Sequence, residues 1–193
     1  MGRLTLAALI AALASPAWAA DPPPGVARQL PPGHEALTAV RAVPSGAREY
    51  WIVALARQDE DAGGRTPDPA PVHPLVLFAR QPDGSFLPAG RNGDAVMRAG
   101  EGGQCDPFED GAAAIAVKGR YFTVQNGVAC GQHWTDYVTF RFDPARGGFV
   151  FDNERIESWS LNRSTAPGAP ALVQDRPTRV QRSPPGRTVT FDA

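Results

Sequence analysis

Four residues able to do chemistry crowd together after Cys130: Gln132, His133, Trp134 and Asp136. A histidine and a carboxylate this close can act as a general acid/base pair if their side chains converge. The same residues also suit recognition. Tryptophan offers contact area at low entropy cost, and histidine and aspartate offer directional hydrogen bonds. A third reading is structural, with Trp134 capping the core and His133 facing solvent from a loop. A second polar cluster is Asp106, Glu109 and Asp110. Hard cations bind such oxygens, but the spacing does not match an EF-hand loop. Asp106 reads instead as a turn former, and the other two as solvated acids.

The wider inventory narrows the chemistry. His34, His73 and His133 lie too far apart in sequence for zinc-ligand spacing. There is no G-x-S-x-G, no P-loop and no dinucleotide glycine pattern, so no cofactor or metal is expected. Glycoside hydrolysis needs two placed carboxylates, and with 20 acids in the chain any pair can be drawn.

The elements that must position these groups read as strands. Ile115 and Val117 share one face of a short apolar run, and Lys118-Gly119 follows as a tight reversal. Tyr121, Thr123 and Gln125 then alternate with Phe122, Val124 and Asn126, a period-two pattern. Asn126-Gly127 reads as a turn. From Tyr137 to Phe142 the alternation resumes, with Val138, Phe140 and Phe142 directed at a core. Cys105 precedes the first of these strands and Cys130 follows the second. A hairpin brings its two ends together, so the pair falls within disulfide reach. An even cysteine count in an exported chain favours a bridge, with reactive-thiol and metal roles as the alternatives.

Upstream, Tyr50 to Ala56 is a near-continuous apolar run that suits a buried central strand, and Leu75 to Phe78 is another. Gln81-Pro82-Asp83-Gly84 turns the chain into a partner strand at Phe86-Leu87. His34 to Ala42 shows weaker alternation. Gln58 to Pro74 reads as a long polar loop, functional or disordered. Downstream, Phe149 to Ser160 predicts a last long strand. Residues 161–193 read as a mostly irregular Pro/Arg-containing tail, with a short late strand at Thr188 to Phe191.

The N-terminus adds a compartment. Residues 1–19 read as a secretory signal peptide: Arg3, an apolar run from Leu4 to Ala14, and Ala17-Trp18-Ala19 as the cleavage site. Ser15-Pro16 interrupts the run short of a membrane anchor. Residues 20–30 form a flexible leader, and 31–160 a β-rich domain. Without Arg3 the chain carries 18 basic against 20 acidic residues, so its charge gives no argument for nucleic acid. No later stretch is long enough to span a bilayer as a helix. A single lysine against 18 arginines fits a bacterial, GC-rich source. Twenty glycines and twenty prolines leave little room for long helices and favour short strands with many turns.

Several of these segments also carry a resemblance. They are Gly102-Gly103, Cys105-Asp106-Pro107-Phe108, Val117-Lys118-Gly119 with Tyr121-Phe122-Thr123-Val124, and Tyr137 with Thr139-Phe140-Arg141. A second set is Pro74 to Phe78, Pro82-Asp83-Gly84, Arg91-Asn92 and Asp94-Ala95-Val96. Over about Leu30 to Asn162 the chain resembles a family of exported bacterial β-rich proteins with no established activity. Many relatives carry an acidic glycine turn before the first buried strand. Here Val43 to Glu49 occupies that place without the spaced aspartates a calcium loop requires. The resemblance implies an exported β-rich domain.

The expectation is therefore an all-β domain, a mainly antiparallel meander of seven to nine strands or a compact sandwich- or barrel-like fold, with one Cys105–Cys130 bridge. The leading function is a non-catalytic periplasmic or secreted binding protein. Its partner would be an envelope protein or a cell-wall component, and Gln132, His133, Trp134, Asp136 and Asp106 are the candidate binding residues. The alternatives are an exported hydrolase using His133 with nearby acids, and a purely structural envelope protein. No catalytic residue is assigned.

Overall fold

Tyr50 to Arg57 (YWIVALAR) carries apolar residues on both faces, and both faces are buried. This strand, β2, needs cover on each side. It lies inside a four-stranded antiparallel sheet with β1 (His34–Ala42), β3 (Leu75–Arg80) and β4 (Phe86–Asn92), ordered β1-β2-β3-β4. One face is covered by a second antiparallel sheet. The other is covered by a helical turn, α1 (Pro24–Ala27), which packs Val26 against Val53, Leu55, Val76, Phe78 and Phe86. Pro24 opens that turn, where a missing N–H costs no helical hydrogen bond. The computed structural model describes residues 21–60, 68–108, 114–128, 130–131 and 133–192. The predicted signal peptide lies outside them, as do Gln132, Glu109 and Asp110.

The second sheet is built from β5 (Ile115–Lys118), β6 (Tyr121–Gly127), β7 (His133–Asp143), β8 (Gly148–Leu161) and β10 (Arg179–Arg182) in the order β10-β8-β7-β6-β5, with β9 (Leu172–Gln174) pairing the far end of β8. The result is a sandwich of two antiparallel sheets, as the strand-and-turn pattern predicts. Between the sheets, Ile52, Leu75 and Leu77 meet Phe122, Val138, Phe140 and Phe149. Phe122 stacks on Phe140 at 5.0 Å between ring centroids and meets Phe149 edge-on at 4.9 Å. Such pairs add about 1 kcal/mol each beyond area burial. Among the described residues no helix is long and apolar enough to cross a membrane.

Five local readings change. Asn126-Gly127 is the end of β6 rather than a turn: Asn126 pairs with Asp136 and Gly127 with Thr135. Gly127 sits at φ 120°, and a Cβ there would run into the Trp134 carbonyl, so glycine is required by close approach and backbone conformation. β7 begins at His133, so His133 and Trp134 belong to a strand rather than a loop. β4 runs through Pro88, which an edge strand tolerates. The leader turn is packed, with Val26 fully buried. Residues 161–192 hold β9 and β10 and place Phe191 in the core.

Two joints close the sides of the sandwich. β1 approaches β5 on one side. On the other, residues 189–192 bridge β8 and β4: the Phe151 N–H donates to the Val189 carbonyl at 3.0 Å and Asn92 Nδ2 donates to the Phe191 carbonyl at 2.6 Å.

Candidate ligand site

Strand alternation decides where the residues after Cys130 go. On β7, Trp134 and Asp136 share a face with Val138, Phe140 and Phe142, which point into the core. His133, Thr135 and Tyr137 point to the opposite face. The His133 ring stacks on Trp159 of β8 at 6.2 Å, and its Nδ1 lies 2.7 Å from the Gly131 carbonyl. His133 and Asp136 are thus on opposite sides of the sheet and do not form an acid/base pair. The structure brings Trp134 and Asp136 together and separates His133 from both.

Asp106 is elsewhere. It is buried, and its Oδ1 accepts a hydrogen bond from the Phe108 N–H at 2.8 Å, closing an Asx turn. Gly102 packs so closely on Asp106 that a Cβ would lie 2.7 Å from its Cα. Asp106 is a turn former immediately after Cys105. The disulfide joins Cys105 to Cys130, with Cα atoms 5.8 Å apart.

Trp134 and Asp136 line a cavity of about 220 Å³ whose opposite wall is the irregular stretch 93–101. Asn126 ties the two walls. Its Oδ1 accepts from the Met97 N–H at 2.9 Å, and its Nδ2 donates to the Ala95 carbonyl at 3.1 Å. The stretch itself starts from Asn92, whose Oδ1 accepts from the Asp94 and Ala95 N–H groups. In sequence Cys105 follows the 93–101 stretch and Cys130 precedes β7, and the bridge joins the two.

Asp136 lines the cavity beside Asn126. Its Oδ2 is 3.4 Å from Asn126 Nδ2, while its buried Oδ1 has no hydrogen-bond partner among the described residues. Burial, and then the neighbouring Glu154 carboxylate, push its pKa up to about 6, against the weaker pull of Asn126 and Arg179. Trp134 stays exposed at the rim.

A second hollow of about 550 Å³ adjoins the first and shares Asp94 with it. It is lined by Val138, Phe140 and Phe151 from β7 and β8, by Pro184 and Val189, and by the charged Glu154 and Arg182. Among the described residues no three His, Cys, Asp or Glu side chains converge as a metal-binding set.

Sequence reasoning missed Asn126, because Asn-Gly is a turn signal. It also missed the 93–101 wall, whose buried Ala95, Val96 and Met97 have no strand or helix period. The Asn92-x-Asp94-Ala95 Asx geometry was the available clue. No family model matches the chain, and no curated protein or solved structure matches it significantly.

Proposed function

We infer that this is an exported, non-catalytic binding domain that takes part of an envelope protein or a cell-wall component into the cavity between β6–β7 and residues 93–101. One observation carries the reading: a partly buried carboxylate, Asp136, and an exposed Trp134 line one cavity whose two walls are tied together by Asn126. Export is supported by the N-terminal sequence and by the bridge, which fits an oxidising compartment.

The hydrolase reading loses its proposed pair, since His133 and Asp136 face opposite sides of the sheet. The test is affinity capture from envelope extract, using the mature chain beside Trp134→Ala and His133→Ala variants checked for folding. A partner lost with Trp134→Ala and kept with His133→Ala supports the reading. Equal capture by all three moves the site away from this cavity, and no specific partner removes the binding reading.

A further inference from the structure

We propose that a hollow at the hairpin end of the four-stranded sheet binds a phosphate monoester, its doubly charged phosphoryl group held by the guanidinium groups of Arg41, Arg48 and Arg80. This is a second site, separate from the cavity at Trp134 and Asp136. Along β3, Leu75 pairs with Asn92 at the cavity end and Arg80 pairs with Phe86 at the other. The hollow, of about 570 Å³, is lined from the β1–β2 and β3–β4 connections.

The arginines come together on fixed partners. Glu49 joins two of them: its Oε1 lies 2.9 Å from Arg41 Nε, and its Oε2 lies 3.3 Å from Arg41 Nη2 and 3.6 Å from Arg80 Nη1. Trp51 Nε1 donates to Glu49 Oε1 at 3.2 Å, and the Arg80 N–H donates to the Glu49 carbonyl at 2.9 Å. The carboxylate and the end of β3 are both held by these bonds. The Arg41 guanidinium keeps the Glu49 carboxyl below the usual carboxylate range, so it stays ionised. Arg48 is anchored to the core instead. Its Nε donates to the Tyr50 hydroxyl at 3.3 Å, and its guanidinium carbon lies 5.6 Å from the Tyr50 ring centroid. Tyr50 is buried, and its hydroxyl donates in turn to the Gly147 carbonyl at 2.9 Å.

Charge and donor geometry then select the ligand. Three guanidinium groups against one carboxylate leave an excess of two positive charges in the hollow. Among the described residues Arg48 has a neutral partner, the Tyr50 hydroxyl, and no ion pair. The Arg41 and Arg80 side chains are 58% and 53% exposed, so a solute reaches them although Glu49 holds both. A guanidinium carries five N–H donors, and Glu49 and Tyr50 engage only some of them. A carboxylate or a phosphodiester brings one negative charge. A phosphate monoester at pH 8 brings close to two, with three acceptor oxygens. Planar guanidinium forks match those oxygens in pairs. Val43, half exposed, and Pro82 line the same hollow and provide carbon for the organic part of the ester.

The experiment is isothermal titration of the mature chain at pH 8 and low ionic strength with phenyl phosphate, phenyl sulfate, benzoate and inorganic phosphate. The expected result is saturable binding of phenyl phosphate, at least tenfold weaker binding of the singly charged phenyl sulfate and benzoate, and weaker binding of inorganic phosphate. Arg48→Gln and Arg80→Gln, both at exposed positions and each checked for folding, should each lose at least tenfold. Trp134→Ala should bind phenyl phosphate like the parent. No phenyl phosphate binding, equal binding of phenyl sulfate or benzoate, or undiminished binding in a folded arginine variant overturns the proposal. Inorganic phosphate binding as tightly as phenyl phosphate assigns the hollow to the free ion and overturns the ester. Loss of phenyl phosphate binding in Trp134→Ala places the anion in the other cavity and also overturns it. If envelope capture depends on Trp134 while phenyl phosphate does not bind, this site falls and the cavity reading stands.

Discussion

Asn126 and Asp136 lie opposite one another on β6 and β7, with the Asn126 amide nitrogen 3.4 Å from an Asp136 carboxylate oxygen. The same asparagine holds the Met97 N–H and the Ala95 carbonyl, so one buried amide joins the sheet to the wall facing it. Asn126→Ala leaves the Met97 N–H and the Ala95 carbonyl without these partners. A buried unsatisfied group costs about 1–3 kcal/mol. The variant is expected to lose about 2–3 kcal/mol in urea unfolding, near the upper end for one polar contact set. A loss below about 0.5 kcal/mol would show that the 93–101 wall is held by other means.

Asp136 makes stability depend on pH in an unusual direction. Its folded-state pKa of about 6 lies above the ordinary 3.8, so the native state takes up this proton first as pH falls. Its contribution is therefore most favourable below about 4 and is lost as pH rises through about 6. Asn mimics the protonated form. Asp136→Asn should gain about 1 kcal/mol over the parent at pH 8, discounted for the side chain's remaining solvent contact, and nothing at pH 4. Denaturant unfolding of the two proteins at both pH values measures the difference, and a gain at pH 4 as large as at pH 8 contradicts the assignment.

The disulfide closes a loop with a sequence separation of 25 residues. Chain-entropy reasoning gives about 3–4 kcal/mol for such a loop. The Cys105→Ser/Cys130→Ser double variant should lose that amount. Because Cys130 lies three residues before β7 and the bridge ties it to the segment after 93–101, the double variant should also lose capture of any partner that Trp134→Ala loses. A double variant that is destabilised yet captures the partner fully would limit the bridge to a stability role.

How much of this was legible depended on whether a residue's environment came from its neighbours in sequence. The strands with their own alternation, such as Phe122–Val124 and Val138–Phe142, could be read directly, and the bridge followed from where they placed Cys105 and Cys130. The site was read only in part. The strand's starting point was hidden by Gly131 and by the Asn126-Gly127 signal, so His133, Trp134 and Asp136 were grouped in one loop. Once β7 starts at His133, alternation alone splits them. His73 was also missed. It is buried, with Nε2 2.6 Å from Glu60 Oε1 and Nδ1 3.0 Å from the Met97 carbonyl, and a lone histidine in a proline-rich loop carries no sign of such partners.

The C-terminal segment shows the same limit and yields the last prediction. Residues 161–193 are rich in proline and arginine, and nothing in their local pattern marks Phe191 as a core residue. Its ring nevertheless sits 5.1 Å from Phe140 and 6.2 Å from Phe122. The space is provided by Gly90, where a Cβ would lie 2.8 Å from the Phe191 ring. Asp192 Oδ1 accepts from the Arg91 N–H at 2.9 Å and pins the segment to β4. Removing a buried phenylalanine ring from a packed core costs about 3–5 kcal/mol. Phe191→Ala should cost about 3–4 kcal/mol, and Gly90→Ala should also destabilise by pressing on the ring. If the double variant Gly90→Ala/Phe191→Ala is less destabilised than the sum of the two single variants, the pair is coupled through that contact. Strict additivity, or a Phe191→Ala protein as stable as the parent, would mean that the C-terminal segment does not seal the core.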